Sequence, residues 1–234
     1  MKMIVNIFVL LAVFVGYAGS QEGLKNSSEI IIPQITLDTY SEHLMHYFEN
    51  KNDEIIYETI SIYENKEYNE TLDQVDNILL FFLFGIKTDD IGRYNNFMKI
   101  IEYRNLDRLK NLFEIIENND MGLYLTQQYP SSELNDVYWT LYFSTGNVQY
   151  IDYLLTIIKN YYAETKNANF YMAARTAMWS ISSNILTFSF VKEHIMKSDI
   201  LSNELREYLL KNDPNKIQSD TMDFIRQQRK DGIW

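Results

Sequence analysis

The stretch Trp139-Thr140-Leu141-Tyr142-Phe143-Ser144-Thr145-Gly146-Asn147-Val148-Gln149-Tyr150-Ile151-Asp152-Tyr153-Leu154 decides the fold class. Apolar residues run up to one glycine and resume, at helical spacing, just beyond an asparagine. Gly146 suits the left-handed position past a helix end, where the missing Cβ removes the steric penalty. Asn147 suits the N-cap of a following helix, where its side-chain oxygen accepts a backbone N–H left over by the first turn. Two helices joined by so short a turn run back along each other, so the segment predicts an antiparallel helical hairpin.

Outward from this hairpin the same period recurs. After Asp38, the residues Tyr40, Leu44, Tyr47 and Phe48 share one face until Lys51-Asn52-Asp53 breaks it, and Ile55, Ile56, Ile60 and Tyr63 start another. From Asn69, read as an N-cap, Leu72, Val75, Leu79, Phe82 and Leu83 line one face, Ile78, Leu80, Phe81 and Phe84 widen it, and Gly85 is read as the end. Further helices are expected over 94–102, 106–116, 134–143, 169–188, 191–196 and 203–210, and, beyond Pro214, over 222–228. Within 169–188, Ala173, Ala177, Ser180 and Asn184 form a small or polar stripe that would admit a neighbouring helix closely, with Asn184 needing an internal hydrogen-bond partner.

The remaining composition agrees with rods. Only eight glycines and three prolines occur in 234 residues, too few for an all-β fold that turns every 8–12 positions. No Gly-rich phosphate loop is present. Hydrophobic residues make up 46% and aromatics 15%, which is ample for a core. The expected fold is all-α: stacked antiparallel helical hairpins, α-solenoid-like or a compact multi-helical domain, with about nine to eleven helices over residues 21–234 treated as one domain. The echo of Phe81-Phe82-Leu83-Phe84-Gly85 in Tyr142-Phe143-Ser144-Thr145-Gly146 does not recur a third time, so no tetratricopeptide period is found.

The first twenty residues have the order of a secretory leader. Met1-Lys2-Met3 is basic, Ile4 to Tyr17 is apolar, and Ala18-Gly19-Ser20 supplies small residues before Gln21. The run is short of the roughly 20 apolar residues of a membrane span. Cleavage removes Lys2 from 21 basic residues and none of the 32 acids, which takes the net charge from -11 to -12. The expected location is secreted or periplasmic, with membrane involvement only through the leader during export. Absence of cysteine fits a bacterial envelope and excludes disulfides, thiolate nucleophiles and cysteine metal sites. The N-glycosylation patterns at Asn26 and Asn69 are what an Asn-rich chain produces by chance.

Two strings carry a family resemblance. W-x-x-Y-F-x-T-G-N-x-x-Y-I over residues 139–151, and W-S-I-x-S-N over residues 179–184 within Ala173 to Asn184, resemble stretches of an uncharacterised bacterial family of exported, all-helical, repeat-like proteins. They cover about a quarter of the mature chain. The resemblance implies a helical fold and supplies no catalytic residues, and it does not extend to the part of the chain before Phe84.

Candidate chemistry is sparse. His43 and His46, spaced i and i+3 and flanked by Glu42 and Glu49, offer a possible metal site for an envelope hydrolase, without a third ligand at recognisable spacing. His194, after Glu193, reads as a packing or helix-end residue. Ser180 and Ser182 lie inside a helix rather than on a nucleophile elbow. The pairs Asp89-Asp90 and Glu114 with Glu117 read as solvated or first-turn charges. A net negative chain disfavours nucleic acid, and the basic trio Arg226, Arg229 and Lys230 is small. No cofactor is expected. The leading expectation is an exported helical-repeat protein that binds an unknown protein or peptide in a groove lined by Trp139, Tyr142, Tyr150, Trp179 and Asn184. The competing one is a metal-dependent hydrolase around His43 and His46.

Overall fold

Side-chain caps and chain-reversing backbone, rather than glycine, punctuate this chain. The computed structural model describes residues 35–234; the leader and the Asn26 pattern lie outside the described residues. Among the described residues there are twelve α-helices, one 3-10 turn and no strand. They divide into two compact units, residues 35–119 with Phe143–Thr145, and Asp120–Tyr142 with Gly146–Trp234.

The first unit holds α1 (Leu37–Asn50), α2 (Ile55–Glu64), the 3-10 turn Lys66–Tyr68, α3 (Leu72–Asp89), α4 (Ile91–Arg104) and α5 (Asp107–Asn118). Thr36 opens α1 by accepting the Thr39 N–H at 3.2 Å, and Lys51, at φ 44°, closes it in the left-handed region. The apolar faces read from the sequence converge on one core, in which Tyr40, Ile56, Ile60, Leu79, Phe82, Ile86, Tyr94, Phe97 and Ile101 are buried. Two boundaries differ from expectation. Asn69 closes the 3-10 turn and does not cap α3; the Thr71 hydroxyl donates to the Tyr68 carbonyl at 2.8 Å, which delays the helix start. Gly85 does not end α3, which continues to Asp89. Its glycine serves close approach: a Cβ there would lie 1.8 Å from Ser144 Oγ, in the last turn of the helix ending at Thr145, which belongs to this unit.

The second unit holds α6 (Met121–Thr126), most of α7 (Ser132–Thr145), α8 (Gln149–Tyr161), α9 (Ala168–Thr187), α10 (Ser189–Lys197), α11 (Asn203–Lys211) and α12 (Pro214–Lys230). In the α7–α8 turn Gly146 takes its expected place, whereas the N-cap of α8 is Val148 and Asn147 lies one residue before it. Gly146 has φ 75° and returns its N–H to the Tyr142 carbonyl at 2.7 Å, while Asn147 Oδ1 accepts the Gln149 N–H at 3.0 Å. Helix α9 is the hub and packs on α8, α10, α11 and α12. Its stripe explains the close fit, since Ala173 and Ala177 are completely buried and Ser180 receives the Trp139 indole N–H at 2.9 Å. That bond joins the two strings singled out in the sequence. Helix α12 starts at Pro214 itself, because Asp213 caps it through the Lys216 N–H at 2.9 Å and proline suits a first turn. The polar run after Pro214 hides this in the sequence, with Ile217 and Thr221 as its buried residues before Met222. The expectation of nine to eleven helices also missed α6, a six-residue helix capped by Asp120.

Candidate functional site

On α8 two apolar stripes run side by side. Ile151, Leu154, Leu155 and Ile158 face the interior and are buried. Tyr150, Tyr153, Ile157 and Tyr161 follow the 3-4 spacing of a second face. Tyr138 from α7 joins that face, with its ring 5.1 Å from Tyr153, and Tyr150 stands 6.3 Å from Tyr153. Tyr161 meets Phe170 of α9 at 4.8 Å. Beneath the rings, Ile157 packs with Ala173 and Ala174, and Tyr138 and Tyr161 rest on this cluster. Two alanines leave room for two rings, so small residues of α9 set the depth of the aromatic face.

Tyr153 keeps 41% of its surface in solvent, while Tyr138 and Tyr150 are half-buried. Burial first, and Tyr153 second, hold the Tyr138 and Tyr150 phenols above their ordinary range, so both remain protonated donors at neutral pH. Rigid tyrosines on a two-helix platform are the side chains that dominate many polypeptide interfaces, because each brings apolar area and a polar tip at low entropy cost.

The structure redistributes the five residues expected to bind. Trp139 and Tyr142 are packing residues, at 0% and 2% exposure, their rings edge-to-face at 5.9 Å. Trp139 meets the small stripe of α9 at Ser180 and Tyr142 lies against Phe190 of α10, 6.0 Å between rings, which corrects the expectation that they line a groove. Asn184 spends its amide on the Ser180 carbonyl of its own helix at 2.9 Å. Trp179 is half-buried, and its carbonyl accepts the Ser182 and Ser183 hydroxyls. Tyr150 lies on the aromatic face. Tyr138 and Tyr153 complete that face and were not singled out from the sequence, although their signal was the second 3-4 stripe beside the buried one.

The titratable candidates are engaged in local pairs. His43 Nδ1 lies 2.8 Å from Glu58 Oε1, and His46 Nδ1 lies 3.2 Å from Glu49 Oε2. Each histidine thus has its own carboxylate, and among the described residues no group of three or more His, Asp or Glu is placed to hold a metal ion. His194 pairs with Asp152 at 2.7 Å, while Glu193 faces Lys197 at 3.4 Å. Asp89 meets Lys51 at 2.6 Å, and Asp90 caps α4 through the Arg93 N–H at 3.0 Å, a bond that holds its carboxyl below the usual range.

Glu114 and Glu117 line a hollow of about 160 Å³ with Met98, Ile101, Lys110 and Phe113. It is smaller than the roughly 300 Å³ at which ligand pockets begin. Glu117 is further committed to Lys87 at 2.9 Å, which keeps its carboxyl depressed. Ser180 and Ser182 donate to carbonyls of their own helix, Ala177 and Trp179. Arg226 faces Asp223 at 2.8 Å.

One carboxyl departs from this pattern. Asp136 of α7 is pushed up to about 8 by burial first and by the Glu133 carboxylate second. Asp136 forms no ion pair among the described residues that would offset the shift, so the group is largely protonated at neutral pH.

No protein-family model matches the chain, and no curated protein and no solved structure matches it either.

Proposed function

We propose that this protein is a non-catalytic helical binding module, which takes a protein or peptide segment on the aromatic face of the α7–α8 hairpin. The observation that carries the reading is the cluster of Tyr138, Tyr150 and Tyr153, in which Tyr153 touches both other rings and is open to solvent while Tyr138 rests on the small-residue bed of α9. Charged and nucleophilic candidates elsewhere are consumed in local pairs, which favours binding over chemistry. Export through the leader is part of the proposal, and N-terminal sequencing of the mature protein, expected to begin near Gln21, tests that part alone.

The binding test is selection of peptides from a displayed random library on purified protein. Selected peptides are expected to lose affinity for a Tyr150→Ala, Tyr153→Ala double variant that keeps its helical dichroism. Peptides that bind wild type and double variant alike, or a library that yields none, would sink the reading.

A further inference from the structure

We infer that the segment bound by the α7–α8 face is cationic: an arginine- or lysine-bearing stretch of a partner polypeptide, its charged groups seated over the rings of Tyr138, Tyr150 and Tyr153. This rests on the binding-module reading above and adds the chemistry of the occupant.

The first ground is charge. Before Lys159 the helices α7 and α8 carry no Lys, Arg or His, while Glu133 stands exposed on α7 outside any ion pair among the described residues and Asp152 of α8 meets only His194. The hairpin therefore presents its tyrosines from two helices without a cation of their own until Lys159, on a chain whose net charge is -11. An approaching cation meets a favourable field, and a carboxylate-rich partner meets an opposing one.

The second ground is the state of the rings themselves. Elsewhere two buried tyrosines have a cation over the ring: Lys87 lies 5.6 Å from the centre of the Tyr94 ring, and Arg175 5.8 Å from that of Tyr171. The ring contacts of Tyr138, Tyr150 and Tyr153 are instead with one another. A tyrosine face carries the negative part of the ring quadrupole, and half-desolvated faces attract guanidinium and ammonium groups more strongly than fully exposed ones. Three such faces together, with one well open, match a run of basic side chains better than a purely apolar peptide.

The test uses the whole chain and three probes: an oligo-arginine peptide, an oligo-glutamine peptide and an oligo-glutamate peptide, with affinity measured calorimetrically at low and high salt. Oligo-arginine is expected to bind, and salt to weaken it. In a Tyr150→Leu, Tyr153→Leu double variant the apolar bulk stays and the ring faces go, so oligo-arginine should bind about tenfold more weakly. The Tyr150→Phe, Tyr153→Phe variant keeps the faces and should bind as wild type does. Tyr103→Ala, which removes a tyrosine that is 86% exposed in the other unit, should change nothing.

Equal oligo-arginine affinity in the Leu and wild-type proteins would mean that net charge alone attracts the peptide, and would overturn the inference. Oligo-glutamine binding as tightly as oligo-arginine, and dependent on the same tyrosines, would overturn the cationic occupant while leaving the binding-module reading standing. If neither the probes nor any library-selected peptide binds, both fall.

Discussion

The first unit and the α7–α8 hairpin of the second handle polar groups differently. In the first, cations and acids are matched: Lys51 with Asp89, Lys87 with Glu117, Arg93 with Asp53, and Arg108 with both Asp73 and Asp76. The second unit has pairs of this kind too, Lys197 with Glu193 and Lys211 with Glu207, but on α7 Glu133 and Asp136 form no ion pair among the described residues, and the hairpin gathers tyrosines at its surface. Matched charges hold helices in register and leave little to offer a ligand. An unmatched, aromatic surface adds less to stability than the same groups would in a core, and its presence is easier to understand as a surface for something else. The comparison yields three stability experiments, each aimed at one side of it.

The largest effect is expected at Trp139. If it belonged to a binding groove, removing it would cost affinity and spare the fold. Completely buried and bonded to Ser180, it should instead cost about 3–5 kcal/mol of unfolding free energy as Trp139→Ala. Urea denaturation reads this directly. A loss below about 1 kcal/mol would return Trp139 to the surface and blur the contrast between packing and binding rings.

Next comes Asp136, the point where the hairpin departs furthest from charge matching. An unfolded aspartate releases its proton near 3.8, whereas the folded group keeps it to about 8. Between those values the folded state binds the extra proton. The stability associated with that proton is therefore fully present below the lower value and is lost as pH rises toward the upper one. Asp136→Asn stays neutral throughout, so its advantage over wild type should widen from acidic pH to pH 8, reaching on the order of 2–4 kcal/mol, and then level off. Urea midpoints of both proteins at pH 5 and pH 8 measure the widening; parallel curves would show that Asp136 is well solvated.

These experiments also mark what was legible beforehand. Helices could be read because burial on one face imposes a 3.6-residue period, and the Gly146–Asn147 turn because both residues have local conformational reasons to be there. Gly85 misled because the same residue type also appears where a neighbouring side chain presses against a helix backbone, and only Ser144 reveals which reason applies. Pro214 was visible, but the first half of the helix it opens is polar apart from Ile217, so its period was faint before Met222. For the site, an aromatic residue at helical spacing can fill a core or coat a surface. Trp139 and Tyr150 carry the same local signal and differ only in whether a neighbouring helix covers them. That information is tertiary, and the alanines of α9 supply it.

The smallest of the three effects tests the matched side. Asp76 on α3 accepts the Tyr63 hydroxyl on one oxygen and Arg108 Nε at 2.8 Å on the other, while Arg108 Nη2 also reaches Asp73 at 2.5 Å. Burial, and then Asp76, hold the Tyr63 phenol far above its usual range, so Tyr63 acts only as a donor there. Asp76→Ala leaves that part-buried hydroxyl and the guanidinium short of an acceptor, and should cost about 1–3 kcal/mol. Arg108→Ala should cost under about 1 kcal/mol, because the arginine side chain is 38% exposed and water screens its pairs. Asp76→Asn, which retains an acceptor oxygen for Tyr63 and gives up the charge, should fall between the two. That order, measured by urea unfolding, separates hydrogen-bond satisfaction from charge attraction. If Arg108→Ala proves the costliest, the first unit is held by its ion pairs rather than by the buried hydroxyl they surround.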